Sequence, residues 1–168
     1  ALDRLYTRSD RPRELLQILA ERAGHSHGAE RGAILERAAR CAESLGEVET
    51  AARLWEDSVA PDVADPATAE ARLAPAIAAQ ARAGRIEAQA ALLEQALQST
   101  ATSETAAALQ RELAGIHRDR LGRADRAVAL LRRLVDARVA NADDRAALLD
   151  LLRAQGAHGE LAERLAAQ

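Results

Sequence analysis

The sequence predicts an all-α fold of stacked helical hairpins, and three observations carry that reading. The first is internal repetition, which decides the fold before any single element does. Leu45-Gly46, Ala83-Gly84 and Leu121-Gly122 recur at a fixed interval, since 46, 84 and 122 differ by 38 each time. Val48, Ile86 and Ala124 share the next register position; Leu54, Leu92 and Leu130 share another, and Trp55, Leu93 and Leu131 a third. Val59, Leu97 and Val135 follow, while Ala38, Ala76 and Ala114 put one small residue at the same place upstream. The second observation is composition. Hydrophobic residues are 48% of the chain but aromatics only 1%, so alanine and leucine supply the apolar mass, which favours helices and argues against a β-sandwich or barrel. The third is periodicity. Ile34, Leu35, Ala38, Ala39, Ala42 and Leu45 fall on one helical face, and Ala51, Leu54, Trp55, Ser58 and Val59 on one face of the next helix.

Taken in chain order, a half unit comes first, with Asp10 in the place of the glycine before Leu15 and Leu19. The most irregular stretch follows, His25-Ser26-His27-Gly28. In the full units, Gly46, Gly84 and Gly122 supply the left-handed conformation that ends each first helix. Asp65-Pro66 offers an N-cap with proline at the first helical position. Thr102 or Ser103 caps the next pair, and Asn141 is a good cap with Asp144 three residues on. Pro75 lies inside a first helix and is predicted to kink or restart it, because an interior proline costs about 3 kcal/mol. A weaker copy centres on Gly156, with Leu161 and Leu165 behind it. The units are 1–24, 29–61, 66–99, 103–139 and 142–168, roughly ten helices in five antiparallel pairs. They make one repeat domain, expected to be a piece of a longer chain. Neither helix of a pair can bury its apolar face alone, so successive hairpins must stack, with alanines allowing close approach and leucines and Trp55 filling the layers.

Charge and cysteine narrow the function. Lys plus Arg is 23 against 26 acids, a net charge of −3, and stacking aromatics are absent, so a nucleic-acid partner is not expected. Every basic residue is arginine, as codon bias in a GC-rich bacterial genome produces. Cys41 is the single cysteine and cannot form an internal disulfide. An unpaired cysteine fits the cytoplasm, the expected compartment, and the periplasm as well. No stretch approaches the length of a membrane span, and the N-terminus does not read as a signal peptide.

These units resemble tetratricopeptide repeats (TPRs). That family carries Leu-Gly and an aromatic in the first helix, then glycine, then Ala-x3-aromatic in the second helix, then proline. The second unit has Gly46, Ala51-x3-Trp55 and Pro61. The third has Gly84, Leu93 and Ala96, with Gln89 where alanine is usual. The fourth has Leu113-Ala114, His117, Gly122 and Ala127-x3-Leu131, and His117 stands near the family's tyrosine, as Cys41 and Ala79 do earlier. The resemblance covers nearly the whole chain and departs from the family in its period of 38 and its mostly missing proline. It implies a non-enzymatic binding module whose concave groove, lined mainly by first helices, takes a peptide or partner protein. The first-helix polar residues then become candidates: Glu36, Arg40, Glu43, Gln80, Arg82, Arg118 and Arg120. The Lys and Asn set with which the family clamps carboxylate peptide ends is missing.

Other constellations read as structural. His25-x-His27 converges on one metal only if extended and with a third ligand such as Glu21 or Glu30, so it reads as a polar loop rather than a metal site. His117 reads as a packed histidine, not a general base, because no nucleophile or carboxylate pair is placed beside it. Cys41 reads as a small apolar residue and Trp55 as inter-helix core. No catalytic motif and no cofactor signature is present. The expected function is a scaffold for protein contacts, and the alternative is a helical sensor or regulatory arm of a larger signalling ATPase or transcription regulator. Open repeat ends carry apolar faces through which copies can self-associate.

Overall fold

The structure, a computed structural model, describes residues 11–60, 66–99 and 103–166. Nine α-helices and no strand are found among the described residues: α1 (Pro12–His25), α2 (Gly28–Ser44), α3 (Val48–Ser58), α4 (Pro66–Arg82), α5 (Ile86–Ser99), α6 (Ser103–Asp119), α7 (Ala124–Asp136), α8 (Ala142–Ala154) and α9 (His158–Ala166). The chain divides into two compact units, Ala1–Leu92 and Leu93–Gln168, with α5 contributing to both. In the first unit α1 packs on α2, α2 on α3 and α3 on α4; in the second α6 packs on α7, α7 on α8 and α8 on α9.

Much of the repeated apolar register is buried, but its Val48 position is not, with Val48 43% exposed. Ala38, Ala76 and Ala114 are all inside, as are Trp55, Leu93 and Leu131. Leu19 and Ala23 of α1 meet Ile34, Leu35 and Ala38 of α2 in one cluster, with Leu54 of α3 packed against it. Cys41, Ala79 and His117 are buried at their common position. The last helix differs: α9 has no fully buried residue, and its Leu165 is 46% exposed.

Three of the predicted glycine turns are built in one way. Gly46, Gly84 and Gly156 have φ of 73°, 68° and 69°. In each the glycine N–H returns to the carbonyl three residues back and the next N–H to the carbonyl five back, as in Glu47 N to Ala42 O at 2.9 Å, a Schellman closure. The N–H two residues after the glycine then donates to the glycine carbonyl, and the second helix starts there. Gly122, at φ 62°, closes more widely, with Arg123 N donating to His117 O at 2.8 Å. The same closure ends α7, but at Arg138, with φ 58° and Val139 N donating to Leu134 O at 3.1 Å. That position puts a Cβ in the region glycine favours, and nothing in the sequence marked it.

The caps follow the local residues. Asn141 accepts from Asp144 N at 2.8 Å and Asp144 Oδ2 accepts from Asn141 N at 2.9 Å, a complete capping box on α8. Pro66 is the first helical residue of α4; Asp65 and Thr102, expected as caps, lie outside the described residues, as do Asp10 and Pro61. The irregular histidine stretch is shorter than expected, with only Ser26 and His27 between α1 and α2. Pro75 corrects another expectation, since α4 runs through it as one 17-residue helix and does not restart. Leu73, Ala76, Ile77, Ala79 and Gln80 bury both flanks of the proline in the packed face, which outweighs the hydrogen bond that the proline cannot donate.

A Cβ added at Gly46 would meet nothing within 4 Å, so Gly46→Ala tests backbone conformation alone. It is expected to lower stability by about 1 kcal/mol. Arg138→Gly is expected to raise stability by about 0.5 kcal/mol, the left-handed relief exceeding the added freedom of the unfolded chain. Urea midpoints of the two variants, moving in opposite directions, check both.

Candidate functional site

Most of the first-helix polar candidates of the first unit are brought into one chain of contacts. Arg72 Nε, on a residue only 6% exposed, donates to Glu36 Oε2 at 2.8 Å, joining α4 to α2. The other Glu36 oxygen lies 2.6 Å from Arg40 Nη2. The Arg40 guanidinium stands 5.8 Å from the centre of the Trp55 ring, a cation–π contact, and Trp55 Nε1 donates to Glu43 Oε1 at 3.2 Å. Arg82 donates to the same Glu43 oxygen. The run Arg72–Glu36–Arg40–Trp55–Glu43–Arg82 therefore ties α2, α3 and α4 together, and leaves the guanidiniums of Arg40 and Arg82 outermost at 63% and 52% side-chain exposure. Trp55 is core, as its register implied, with its indole N–H held by an acid.

Gln80 takes a different place from its neighbours. It is fully buried, and its Nε2 donates to Ala52 O at 2.9 Å and to Glu56 Oε2 at 3.3 Å, so it clasps α4 to α3 instead of facing solvent. Arg85 Nη1 lies 2.8 Å from the same Glu56 carboxylate. Arg118 and Arg120 belong to the second unit. Arg118 forks onto its neighbour Asp119, with Nε to Oδ1 at 2.6 Å and Nη2 to Oδ2 at 2.8 Å, and these hydrogen bonds hold the Asp119 carboxyl below its ordinary value. Arg120 is exposed.

The second unit also holds a cavity of about 540 Å³ that the sequence did not announce. Its walls come from α5, α6 and α7, hence from two second helices and only one first helix. Leu97, Leu113 and Leu130 line its apolar part, Gln98 and Gln110 add amides, and Glu94, Arg126 and Arg133 carry the charges. His117 lines it as well, 1% exposed, with Nδ1 buried and without a hydrogen-bond partner. Its Nε2 is 3.8 Å from Glu94 Oε1, beyond hydrogen-bond length. Burial first, and then the charge of Arg126, push the His117 pKa below the ordinary 6.5; Glu94 pulls the other way and Arg123 adds to the fall. The visible hint in the sequence was a histidine where Cys41 and Ala79 occupy the other units, with Arg126 and Arg133 seven residues apart on the next helix.

The remaining candidates carry no chemistry here. His25 and His27 are exposed, Glu30 lies 4.0 Å from Arg22, and no group of three or more His, Cys, Asp or Glu able to hold a metal occurs among the described residues. Cys41 is buried, its thiol donates to Pro12 O at 3.1 Å, and burial followed by the charge of Glu47 raises its pKa, so it stays a protonated thiol. Among the described residues no helix is long and apolar enough to cross a membrane.

Solved structures share this arrangement of helices. TPR-like repeats of a kinesin light chain from Podosopora anserina superpose with a TM-score of 0.52 at 23% identity, covering 98% of this chain and 88% of that one. The fold is that of TPR-like helical repeats. A Q17M variant of the same TPR-like protein matches with a TM-score of 0.51 at 22% identity, covering 99% of this chain and 89% of the other. The RS-1 MamA ArsTM double mutant matches with a TM-score of 0.51 at 14% identity, covering 98% and 87%. No protein-family pattern matches the TPR-like chain, and no curated protein matches it in sequence.

Two outcomes are expected from this geometry. Glu36→Ala removes the counter-charge of the buried Arg72 guanidinium, leaving it the Ser58 carbonyl at 3.4 Å, and should cost about 3 kcal/mol, whereas Arg40→Ala, on the exposed side of the same carboxylate, should cost under about 1 kcal/mol. Chemical denaturation of both variants compares them. For His117, folded and unfolded forms are both neutral well above pH 6.5 and contribute no pH dependence. As pH falls below 6.5 the unfolded imidazole takes its proton first, so stability is lost from there down through the lower folded pKa. His117→Gln should reduce that loss, read as a smaller drop in urea midpoint between about pH 7 and pH 5.

Proposed function

We propose that this chain is a non-enzymatic scaffold that presents a concave groove, lined by first helices, to a peptide or partner protein. The observation that carries the proposal is the TPR-like hairpin fold matched over 98% of the chain. Such hairpins expose long helical faces and build no enclosed reaction centre, which suits recognition of a surface rather than chemistry on a substrate. The partner-facing groups in this reading are the exposed guanidiniums Arg40, Arg82, Arg118 and Arg120, with Glu36 and Glu43 setting the positions of the first two. Gln80 serves from inside, keeping α4 in register with α3. A net charge of −3 and a buried tryptophan favour a protein partner over nucleic acid. In this reading the repeats work in the cytoplasm.

The test is affinity capture from native lysate with wild type and an Arg82→Glu/Arg118→Glu double variant. Both side chains are about half exposed, so although reversal sets the new carboxylates beside Glu43 and Asp119, the variant should lose no more than about 2 kcal/mol, and a urea midpoint confirms that it is folded before capture. A protein retained by the wild type and lost by the variant is the expected result. A partner indifferent to the substitutions would move the working surface away from these arginines. Capture of nothing would favour the regulatory-arm alternative, in which flanking domains hold the activity.

A further inference from the structure

The cavity between α5, α6 and α7 combines an apolar floor, two arginines and a buried imidazole. Its apolar part, Leu97, Leu113 and Leu130, is open to the molecule's surface beside two cations on α7. Arg126 and Arg133 are seven residues apart, so they stand about 10.5 Å apart along one face of that helix, with Ala129 and Leu130 between them. Arg133 has no acidic partner among the described residues. Among the described residues Arg126 is held only by Glu94, at 3.4 Å, with both side chains about half exposed, a pair that contributes little to stability. The buried His117 Nδ1 adds an unspent hydrogen-bonding position in the wall, of a kind that folded proteins rarely leave.

We propose that this cavity docks an acidic amphipathic helix of a partner, whose two carboxylates seven residues apart meet Arg126 and Arg133 while the apolar residues between them fill the pocket over Leu97, Leu113 and Leu130. Helix-in-groove recognition uses anchors at i, i+3, i+4 and i+7, which is the pattern Arg126, Ala129, Leu130 and Arg133 present in complement. At about 540 Å³ the cavity takes a stripe of side chains and leaves the ligand backbone at the rim. Glu94 is then a resident placeholder, its carboxylate occupying the seat on Arg126 that the ligand carboxylate claims. The inference rests on the chain being a binding scaffold but uses a surface whose lining includes neither Arg82 nor Arg118.

The probe is a fluorescein-labelled helical peptide with Glu at i and i+7 and Leu at i+3 and i+4, titrated with the full chain and read by anisotropy. The expected result is saturable binding that weakens at least about tenfold with Arg133→Glu, tightens about threefold with Glu94→Gln and falls as salt rises. A peptide with Gln at both acidic positions should bind about tenfold more weakly, and one with Ser at both leucine positions no better. Imidazole NMR resonances of His117 should move on titration while those of the exposed His25, His27 and His158 stay in place. Absence of saturable binding, indifference to Arg133→Glu, weakening by Glu94→Gln or equal binding of the Gln peptide would overturn the proposal. If the peptide fails but sedimentation shows wild-type dimers that Arg133→Glu dissolves, the occupant is a second copy and the proposal is likewise overturned. A lysate partner that depends on Arg82 and Arg118 while the acidic helix fails would sink this inference and leave the scaffold standing.

Discussion

Everything in this fold depends on the inability of a short amphipathic helical hairpin to bury its own apolar stripe. Helices of nine to seventeen residues are marginal alone in water, and their stability comes from what covers them. The cover is the neighbouring hairpin, and its approach is set by small residues. Ala38, Ala39, Ala42, Ala51 and Ala52 are almost wholly buried where α2 meets α3, so the backbones come close and a single large group, Trp55, fills the space left over. α9, with no fully buried residue, shows what a helix looks like when that cover is thin.

On this apolar frame the arginines act as clasps between helices separated by about one repeat. Arg72 reaches Glu36 from α4 to α2, Arg111 reaches Asp144 from α6 to α8, and Arg132 reaches Glu160 from α7 to α9. The Asp144 carboxylate shows how economical the arrangement is: one oxygen takes the Asn141 N–H of the capping box at 2.9 Å and Arg111 Nε at 2.7 Å. Planar guanidinium groups suit such shared seats, because several donors diverge from one rigid fork. An arginine-rich surface of this kind is largely spoken for internally. The groups left for a partner are the few whose charge is exposed or weakly held, such as Arg82 and Arg133.

The functional reading follows from that division of labour. A chain whose buried ionisable groups are clasps, whose cysteine is a buried donor and whose buried histidine is driven toward its neutral form has no assembled proton-transfer machinery among its described residues. It has instead a helical surface and a cavity of about 540 Å³ with separated cations and an apolar floor. Both suit recognition, and although both use α6 the two surfaces share no charged residue, so they can be tested separately.

Much of this was legible from residues alone. The glycine turns at Gly46, Gly84 and Gly122, the burial of Trp55, Leu93 and Leu131, and the Asn141–Asp144 cap were readable because each is fixed by local backbone chemistry or by a helical register a few residues long. Of the kink or restart expected at Pro75, the restart does not occur: local propensity counted the lost hydrogen bond, and the packed face on both sides of the proline keeps one helix. Gln80 looked like a surface amide until Ala52 O and Glu56 supplied partners from another helix. Arg138 carries a left-handed turn without glycine because the packing of α7 and α8 fixes where the chain must reverse. The cavity beside His117 needed three helices to exist at all. The sequence by itself determined which residues turn, cap and face inward, since those depend on neighbours along the chain. Which polar groups are clasps and which remain free was decided only by tertiary structure, because a charge is satisfied by whatever lies across from it in space, some thirty residues away.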